Sequence, residues 1–321
     1  MATAVGCSTK VCSCSESMSN TGTDCMPVMQ VAKKLLLTPV FDSTGVRNSL
    51  NLAATINAAT FTALINQTDS SKRIYPLPEL KNIADTRNDP IVETFDDNST
   101  MFLGEGIRNF EGFIVNPFAT PVLKAKLKAV VCQEMGVYIV DRNGALRGII
   151  SDDGTKLYPY RLDSGSFSAQ FINPTNTTSA KIQIRFAFHA DEDDGCQRML
   201  IPDEMNDASL LLLKGLIDVY AEYDTPTVTG VVATLKTEFG SAKTPTLVKG
   251  LVVGDFAAYN VTQSSAIALT GVGSAFSESD GVYTFTYATA DQPSVSDVIR
   301  LTPTKNGFDF TQVVADTFVT A

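Results

Sequence analysis

Residues 137–150 read Val-Tyr-Ile-Val-Asp-Arg-Asn-Gly-Ala-Leu-Arg-Gly-Ile-Ile, two apolar runs on either side of Asp141-Arg-Asn-Gly144. Asn-Gly accepts the positive φ values that tight hairpin turns need, so the pattern predicts two antiparallel strands. A second turn signal follows at Asp152-Asp-Gly154. The alternation of apolar and polar residues continues through residues 156–162, 166–172 and 180–188. The region from Gly136 to His189 is therefore predicted to be a β-meander, within a mainly β (α+β) chain.

Thr120-Pro121 predicts the start of a helix, because threonine is a good N-cap and proline is favoured at the first helical position. Apolar residues then recur near 3.6-residue spacing. We expect this helix to end near Met135-Gly136, since glycine readily adopts the left-handed conformation that closes many helices. Helical spacing also occurs from Ala53 to Asn66.

The segment from residue 66 to residue 100 is polar and interrupted by prolines. Loops of this length are uncommon inside compact domains and are usually functional or ordered by a partner. Strand-like pieces around Leu80 and at 91–95 are compatible with an extended hairpin. We expect neighbouring subunits to order this long loop. The residues predicted to form that interface are Tyr75, Leu77, Ile91, Val92 and Phe95.

Composition places the chain among globular proteins. It has 321 residues, 44% of them hydrophobic, and a formal charge of −10 from 25 basic and 35 acidic residues. This length favours two domains. No apolar stretch approaches the ~18 residues of a spanning helix, so no membrane insertion is expected. Residues 1–10 lack the apolar core of a secretory signal. The negative charge disfavours sequence-independent binding to phosphate backbones.

The composition changes after Thr225-Pro-Thr227, where Thr, Val, Ser, Ala and Gly become frequent. Short alternating runs recur at roughly ten-residue intervals, a pattern typical of a small β-sandwich. We therefore predict a domain boundary here, with residues 27–225 forming the first domain and 226–321 the second. Residues 1–26 are a Cys/Ser-rich arm without a hydrophobic period.

The inventory of catalytic residues is small. His189 is the only histidine and there is no tryptophan, so any Ser/His/Asp or Cys/His arrangement would need His189. This residue ends an alternating run at 182–189, where a solvent-facing or hydrogen-bonded imidazole is expected. Gly104-Glu-Gly106 lacks the Lys-Ser/Thr of a phosphate-binding loop. We expect no catalytic residue, no bound cofactor and no enzymatic activity.

Four of the six cysteines lie in the first 25 residues, at Cys7, Cys12, Cys14 and Cys25. Four thiolates suit tetrahedral zinc, but the spacing Cys-x4-Cys-x-Cys-x10-Cys matches no common zinc motif. A structural metal, a disulfide and unbonded thiols all remain open. Carboxylates also concentrate at 191–194, where hard cations could find oxygen ligands. The spacing of a calcium loop is missing, so an exposed, solvated loop is expected.

Three segments of the second domain resemble bacterial Ig-like domains appended to phage surface proteins. They are Gly254-Asp-Phe256, Gly281-Val-Tyr-Thr-Phe-Thr-Tyr287 and Asp297-Val-Ile-Arg-Leu301. Domains of that group carry a G-x-Y-x-F strand followed by a D-x-I-x-L strand. The resemblance implies an Ig-like β-sandwich over residues 226–321.

The first 225 residues resemble virion proteins of tailed phages, on the segments Thr100 to Phe110 and Val137 to Gly144. The order of long loop, strand, helix and meander is similar to that of tail-tube proteins. In those proteins one helix packs on a β-sandwich or barrel, six subunits join sheets into a ring, and loops and hairpins stack ring on ring. The resemblance implies the same tail-tube-like fold here.

The function implied by this resemblance is structural. We expect a homo-oligomer, hexameric by analogy, that forms the tail tube and carries the Ig-like domain outside. Its partners would be its own copies and other tail or head-tail proteins, with genomic DNA as non-specific passing cargo. The expected location is the virion, assembled in the host bacterial cytoplasm. Alternatives are a tail terminator or collar ring, or a capsid decoration or head-fibre protein whose Ig-like domain binds the host surface.

Low-friction passage of DNA predicts an acidic channel wall, because clustered lysine and arginine would bind the duplex. The residues predicted to face this lumen are Asp152, Asp153, Asp191, Glu192, Asp193 and Asp194. The alternative is that these acids lie on the outer surface and maintain solubility.

Overall fold

The computed structural model describes residues 29–130, 133–192, 194–224, 226–240, 243–311, 313 and 316–319. The protein is mainly β, with 44% strand and two α-helices over the described residues, which confirms the predicted fold class. The chain divides into two compact units, Met1–Gly215 and Leu216–Ala321. The predicted N-terminal arm, residues 1–26, lies outside the described residues.

The first unit contains two helices, α1 (Ala58–Ile65) and α2 (Pro121–Val130), among its described residues. Its strands are β1 (Ala32–Pro39), β2 (Leu50–Asn51), β3 (Tyr75–Pro76), β4 (Leu80–Arg87), β5 (Ile91–Thr94), β6 (Thr100–Gly104), β7 (Arg108–Val115), β8 (Met135–Asp141), β9 (Leu146–Ile150), β10 (Lys156–Tyr158), β11 (Tyr160–Arg161), β12 (Ser168–Ile172), β13 (Lys181–Ala187) and β14 (Gln197–Leu200). A curled sheet resembling half a barrel has the order β2-β10-β9-β8-β1-β3, with β11 also paired to β8 and β14 to β9. A second sheet has the order β12-β13-β7-β4.

The core of the first unit lies between these two sheets. Strand β1 is buried over most of its length and contributes Leu35 and Leu37, while β7 contributes Phe110 and Ile114. Helix α2 adds the buried Leu127 at one side of this core. Burying apolar side chains from both sheets stabilises their face-to-face packing, since each side chain contributes roughly 1.5–3 kcal/mol.

The predicted hairpin at residues 137–150 is formed by β8 and β9, with Val140 opposite Leu146. The Asp141 side chain organises the turn by accepting hydrogen bonds from the amides of Asn143 (2.8 Å) and Ala145 (3.0 Å). Gly144 has φ +84°, whereas Asn143 keeps a negative φ. The turn is therefore a longer one closed by a single left-handed glycine, and not the predicted Asn-Gly turn with two positive φ values.

Helix α2 starts as predicted, because Thr120 Oγ1 accepts a hydrogen bond from the amide of Leu123 at 3.2 Å. Its predicted end is wrong. The helix ends at Val130, and Gly136 lies inside β8. A Cβ on Gly136 would lie 2.8 Å from two ring carbons of Pro159, the residue before β11. Glycine is therefore needed for this close approach and not as a helix cap.

The long loop predicted for residues 66–100 contains three strands and the first residue of a fourth. Strand β4 pairs with β7 from Leu80↔Ile114 to Arg87↔Arg108, and β5 pairs with β6. The strand-like pieces around Leu80 and at 91–94 are therefore both strands, but they pair with β7 and β6 and not with each other. Polar composition had favoured a loop because most side chains of these strands face solvent.

The second unit is a two-sheet sandwich. Its strands are β15 (Ile217–Tyr223), β16 (Gly230–Gly240), β17 (Pro245–Leu247), β18 (Phe256–Asn260), β19 (Ser265–Ile267), β20 (Ala275–Ser279), β21 (Val282–Thr286), β22 (Val298–Pro303), β23 (Phe308–Asp309) and β24 (Asp316–Phe318). One sheet has the order β20-β21-β16-β15-β23, with β17 also on β16, and the other β19-β18-β22-β24. In the first sheet, the order β20-β21-β16-β15 corresponds to strands D-E-B-A of an immunoglobulin-like fold. In the second sheet, the order β18-β22-β24 corresponds to strands C-F-G, and β19 pairs with the free side of β18.

The second unit begins ten residues earlier than the sequence predicted. Strand β15 had been assigned to the end of the first domain, but it pairs with β16 from Val219↔Thr237 to Tyr223↔Ala233. Val219 is fully buried in the core of the second unit. Residues 224–229 thus connect the first two strands of the sandwich. Proline and threonine are common in loops as well as linkers, so composition alone could not separate the two.

The motifs of the Ig-like resemblance have structural roles. Gly281 has φ +84°, and a Cβ there would lie 2.8 Å from the Val248 carbonyl oxygen. Tyr283 is fully buried and its hydroxyl donates to that same carbonyl at 2.9 Å. The buried Asp297 carboxylate accepts from the side-chain amides of Asn260 (2.7 Å) and Gln263 (2.8 Å). These contacts connect loops to strands within the sandwich.

Candidate functional site

The most unusual surface of the first unit is an extension of strands β4 and β7. The chain leaves β4 at Asn88 and returns to β7 at Ile107, and the Asn88 amide donates to the Ile107 carbonyl at 3.0 Å. We call residues 88–107 the arm. At its root, Arg87 donates to the Gly106 carbonyl at 3.0 Å. A Cβ on Gly106 would lie 2.1 Å from the Asn88 carbonyl oxygen. The outgoing and returning segments at the root of the arm can therefore approach this closely only with glycine at position 106.

Strands β5 and β6 form the hairpin of the arm. Val92 lies opposite Phe102, and Glu93 lies opposite Met101, so both faces of the hairpin carry large apolar side chains. At the tip, the Phe95 amide donates to the Ser99 carbonyl at 2.9 Å. The Ser99 hydroxyl and amide donate to Asp97 and lower the pKa of that carboxyl. The hairpin is thus locally closed without contacting a core.

Every residue from 88 to 103 is exposed. Ile91 and Phe102, for example, expose 56% and 58% of their surface. The large exposed apolar side chains of the arm are Ile91, Val92, Phe95, Met101, Phe102, Leu103 and Ile107. An isolated two-stranded hairpin is at best marginally stable in water. A concentration of exposed apolar side chains of this kind is typical of an interaction site.

The arm is also strongly acidic. It contains five carboxylates and no lysine or arginine. The acidic residues are Asp89, Glu93, Asp96, Asp97 and Glu105. Glu105 forms an ion pair with Arg87 at the root, at 3.2 Å. A surface that buries the arm therefore has to be apolar in part and positively charged in part.

The second sheet offers two strand edges. Strands β12 and β4 each have one strand partner among the described residues, because they end the order β12-β13-β7-β4. Every neighbouring pair in this sheet is antiparallel, so β12 and β4 run in opposite directions. Exposed strand edges present unpaired amides and carbonyls to which a strand of another chain can pair.

The predicted interface residues lie in different surroundings. Ile91, Val92 and Phe95 are exposed on the arm, and their participation in an interface stays a prediction. Tyr75 is partly exposed, with its hydroxyl donating to the Ser70 carbonyl at 2.9 Å. Leu77 was wrongly assigned to this interface. It is 5% exposed and belongs to the core between the two sheets.

The predicted interface did not include the exposed apolar residues on the returning strand of the arm, Met101, Phe102 and Leu103. A run of three large apolar residues ahead of Gly104 was the available signal. It is ambiguous, because the same run could equally belong to a buried strand.

The residues predicted to line an acidic lumen are spread over two regions. Asp152 and Asp153 are exposed in the turn between β9 and β10. Hydrogen bonds from the Ser151 hydroxyl and from Thr155 lower the pKa of Asp153 to about 2. Both residues belong to the curled sheet and not to the sheet that contains β4 and β12.

The carboxylates at 191–194 do not form one solvated cluster. Asp191 is exposed, 3.4 Å from the His189 imidazole. Glu192 is mostly covered and accepts a hydrogen bond from the Arg161 amide at 2.9 Å, and burial raises the pKa of its carboxyl. The expectation of an exposed loop is therefore wrong for Glu192. Asp193 and the side chain of Asp194 lie outside what the structure describes.

Cys7, Cys12, Cys14 and Cys25 also lie outside the described residues. Among the residues that are described, no group of three or more His, Cys, Asp or Glu side chains is arranged to hold a metal ion. No described helix is long and apolar enough to cross a membrane.

Comparison with known proteins gives no family for this chain. It matches no protein-family model and no curated protein sequence.

Proposed function

We propose that this chain is a structural subunit of a tailed-phage particle that assembles with its own copies into stacked rings of a tail tube. The Ig-like unit would decorate the outside of the tube. Other tail or head-tail proteins would be its further partners, and genomic DNA would pass through without sequence-specific binding. The proposal combines the resemblance of the first 225 residues to tail-tube proteins with the surfaces of the first unit.

The observation that carries the proposal is the arm. Six large apolar side chains are exposed on the β5–β6 hairpin, in which every residue from 91 to 103 is exposed. Burying each of them on another molecule would contribute roughly 1.5–3 kcal/mol. A segment of this kind is expected in a protein whose stable form is an assembly.

The two strand edges support a closed ring. Because β4 and β12 run in opposite directions, joining β4 of one copy to β12 of the next continues the antiparallel alternation. Such a contact is heterologous, since two different surfaces meet, and it gives a ring when the rotation between successive copies closes. Closure would also remove both exposed edges.

The proposed ring would also determine which face of the second sheet lines the channel. One face of the second sheet is in the core, so its other face would line the channel. The charged residues of β4, β7 and β13 on that face are Lys81, Glu111, Lys181 and Arg185, judged from their cross-strand pairing. Glu111 is paired with Arg185 at 3.0 Å. The predicted acidic residues of the curled sheet would then lie away from the wall. With three basic residues and one acidic residue, this wall would not be the acidic lining that the sequence predicted for low-friction passage of DNA.

A tail terminator or collar ring would use the same strand edges without stacking. A capsid decoration or head-fibre protein needs only one docking face. The arm together with two opposed edges provides three surfaces, which favours a subunit that contacts its copies both sideways and lengthwise.

Electron microscopy and sedimentation velocity of the purified chain test the proposal. We expect rings that stack into tubes as the protein concentration rises. The variant Phe102→Asp should reduce stacking, whereas the control Val272→Asp, at a fully exposed position in the second unit, should not. Single rings at all concentrations would favour a terminator or collar. A chain that stays monomeric would contradict the proposal.

A further inference from the structure

The face of the second sheet that points away from the core is formed by alternate residues of its strands. Phe110 and Ile114 of β7 belong to the core, so Glu111 and Phe113 point to the opposite side. Cross-strand neighbours share a face, which places the strand partners of Glu111 and Phe113 on this side as well. We call this side of the β12-β13-β7-β4 sheet the outer face. In the proposed ring it would line the channel.

Two lysines lie beside the Phe113 ring on the outer face. Lys81 of β4 is the direct cross-strand neighbour of Phe113, and Gln183 of β13 is its neighbour on the other side. The ammonium group of Lys181, in the same strand as Gln183, lies 5.9 Å from the centre of the ring. Lys81 is exposed and Lys181 is half-buried. Two positive charges therefore belong to one part of this face.

The carboxylate of the outer face does not neutralise these lysines. Among the described residues of the four strands, Glu111 is the only acid on this side. Its oxygens accept hydrogen bonds from Gln183 at 2.6 Å and from Arg185 at 3.0 Å. Three basic residues and one acidic residue give this face a net charge of +2, which remains on Lys81 and Lys181 because Arg185 is paired with Glu111.

The acidic residue next to β4, Glu79, is paired with a different lysine. It forms an ion pair with Lys33 at 2.8 Å. Interaction with the ammonium group of Lys33 also lowers the pKa of Lys81. This direction is expected where positive charges lie close together, because each charge disfavours protonation of the other group. An anion bound beside Lys81 would relieve that repulsion.

The sign of the charge on the outer face is opposite to that of the whole chain, whose formal charge is −10. Charges more than about 10 Å apart are largely screened at 0.1 M salt, so a ligand on the outer face interacts mainly with the charges of that face. The loop that joins β12 to β13, residues 173–180, contains no charged residue. The outer face is therefore suited to an anionic partner, although the chain as a whole is acidic.

We propose that the outer face binds the phosphate backbone of duplex DNA through the ammonium groups of Lys81 and Lys181. The inference rests on the proposed function, because the proposed ring sets this face along the path of the genome. Repetition of the two lysines in every copy gives a band of positive charge around the channel. The contacts involve phosphates and not base edges, so binding is independent of the DNA sequence. The duplex is held by weak, salt-sensitive contacts, in contrast to the repulsion by an acidic lumen that the sequence predicted.

Fluorescence anisotropy of a short labelled duplex, titrated with the assembled protein over a range of salt concentrations, tests this contact. The variant Lys81→Gln with Lys181→Gln should bind the duplex at least about tenfold more weakly at low salt. The logarithm of the association constant should also fall less steeply with the logarithm of the salt concentration, by about 1.8 for each copy in contact, since each lost phosphate contact removes about 0.9. The variant Lys81→Arg with Lys181→Arg keeps both charges and should bind like the unmodified chain.

The matched control is Lys156→Gln with Lys243→Gln, two exposed lysines that lie outside the outer face. It removes the same charge from the chain and should leave binding of the duplex unchanged. Both glutamine variants should form the same rings as the unmodified chain, which controls for folding.

The inference is overturned if unmodified rings do not bind the duplex at low salt, if Lys81→Gln with Lys181→Gln binds it equally well, or if the control loses as much affinity. Tighter binding of poly-glutamate than of the duplex would also overturn it and would indicate an acidic protein as the partner. Failure of the proposed function is a different observation, namely the absence of rings from electron micrographs of the same samples.

Discussion

Arg108 and Asp85 form a bidentate ion pair across β4 and β7, immediately before the arm begins. Arg108 Nε lies 2.7 Å from Asp85 Oδ1, and Nη2 lies 2.6 Å from Oδ2. The guanidinium group also lies over the ring of Phe188, 4.3 Å from its centre, and 5.4 Å from that of Tyr160. The root of the arm is thereby connected to aromatic residues of the core, whereas residues 88–103 of the arm are all exposed.

Replacing Arg108 by lysine should lower the free energy of unfolding of the first unit by about 1–3 kcal/mol. Lysine keeps the charge but cannot donate two parallel hydrogen bonds or stack on an aromatic ring. Urea unfolding followed by circular dichroism measures the change. Arg142→Lys is the matched control, because Arg142 is exposed and only its backbone amide has a described hydrogen bond, and it should change stability by less than about 0.5 kcal/mol. Equal effects of the two substitutions would mean that the bidentate pair contributes nothing to the free energy of unfolding of the first unit.

Replacing Phe95 by aspartate should weaken assembly and leave the melting temperature of the monomer unchanged. Phe95 is exposed on the arm and has no core contact to lose. The contrasting variant is Phe110→Ala. Phe110 is buried and stacks on Phe186 with ring centres 4.9 Å apart, so this change should cost about 3–5 kcal/mol of monomer stability. Differential scanning fluorimetry and sedimentation velocity separate the two effects. A large loss of monomer stability in Phe95→Asp would show that the arm packs on its own unit.

A fragment of residues 216–321 should fold cooperatively, whereas a fragment of residues 226–321 should be less stable by more than about 3 kcal/mol. The shorter fragment lacks β15, whose Val219 is fully buried and whose backbone pairs with β16 and β23. Thermal unfolding followed by circular dichroism compares the two. Limited proteolysis of the whole chain should likewise produce a stable fragment that starts near Leu216. Equal stability of the two fragments would mean that β15 is dispensable to the sandwich.

Lys34 should make stability increase with pH between pH 7.5 and 9.5. Its side chain is buried and donates to the carbonyl oxygens of Leu211 and Leu213, and burial lowers its pKa from 10.5 to about 8. Between these two values the unfolded chain binds more protons than the folded chain, so raising the pH favours folding. Relative to Lys34→Met, the native chain should gain about 2 kcal/mol over this range.

Lys33→Met is the control for this measurement. Lys33 is the adjacent residue on β1, and its pKa is raised by the hydrogen bond to Glu79 at 2.8 Å. Its folded-state pKa therefore lies above the tested range, and the substitution should leave the slope of stability against pH unchanged. The prediction for Lys34 fails if the native chain and Lys34→Met have the same slope.

Local signals in the sequence predicted local structure well. The Thr120 cap and the Asp141–Gly144 turn depend on side chains hydrogen-bonding to a backbone a few residues away, and both occur at the predicted positions. The end of α2 was predicted incorrectly because Gly136 is needed for contact with Pro159, 23 residues later in the chain. A short-range pattern contains no information about such a neighbour.

The candidate interface was only partly predictable. Ile91, Val92, Phe95 and Leu77 have the same apolar character, and all lie in a polar, proline-containing segment. The structure buries Leu77 in the core and leaves the other three on the arm. The difference arises because the Leu77 amide donates to the Leu35 carbonyl at 2.9 Å, which brings this residue beside β1 between the two sheets.

By itself the sequence determined the mainly β class, the tight turns and the alternating pattern of the second unit, because turn chemistry and strand periodicity act over neighbouring residues. Only the tertiary structure decided that β15 belongs to the second unit, that Glu192 is covered and that the apolar arm is not. Whether a side chain is buried depends on which distant strand pairs beside it. That choice is made by the packing of whole sheets, and no short stretch of sequence records it.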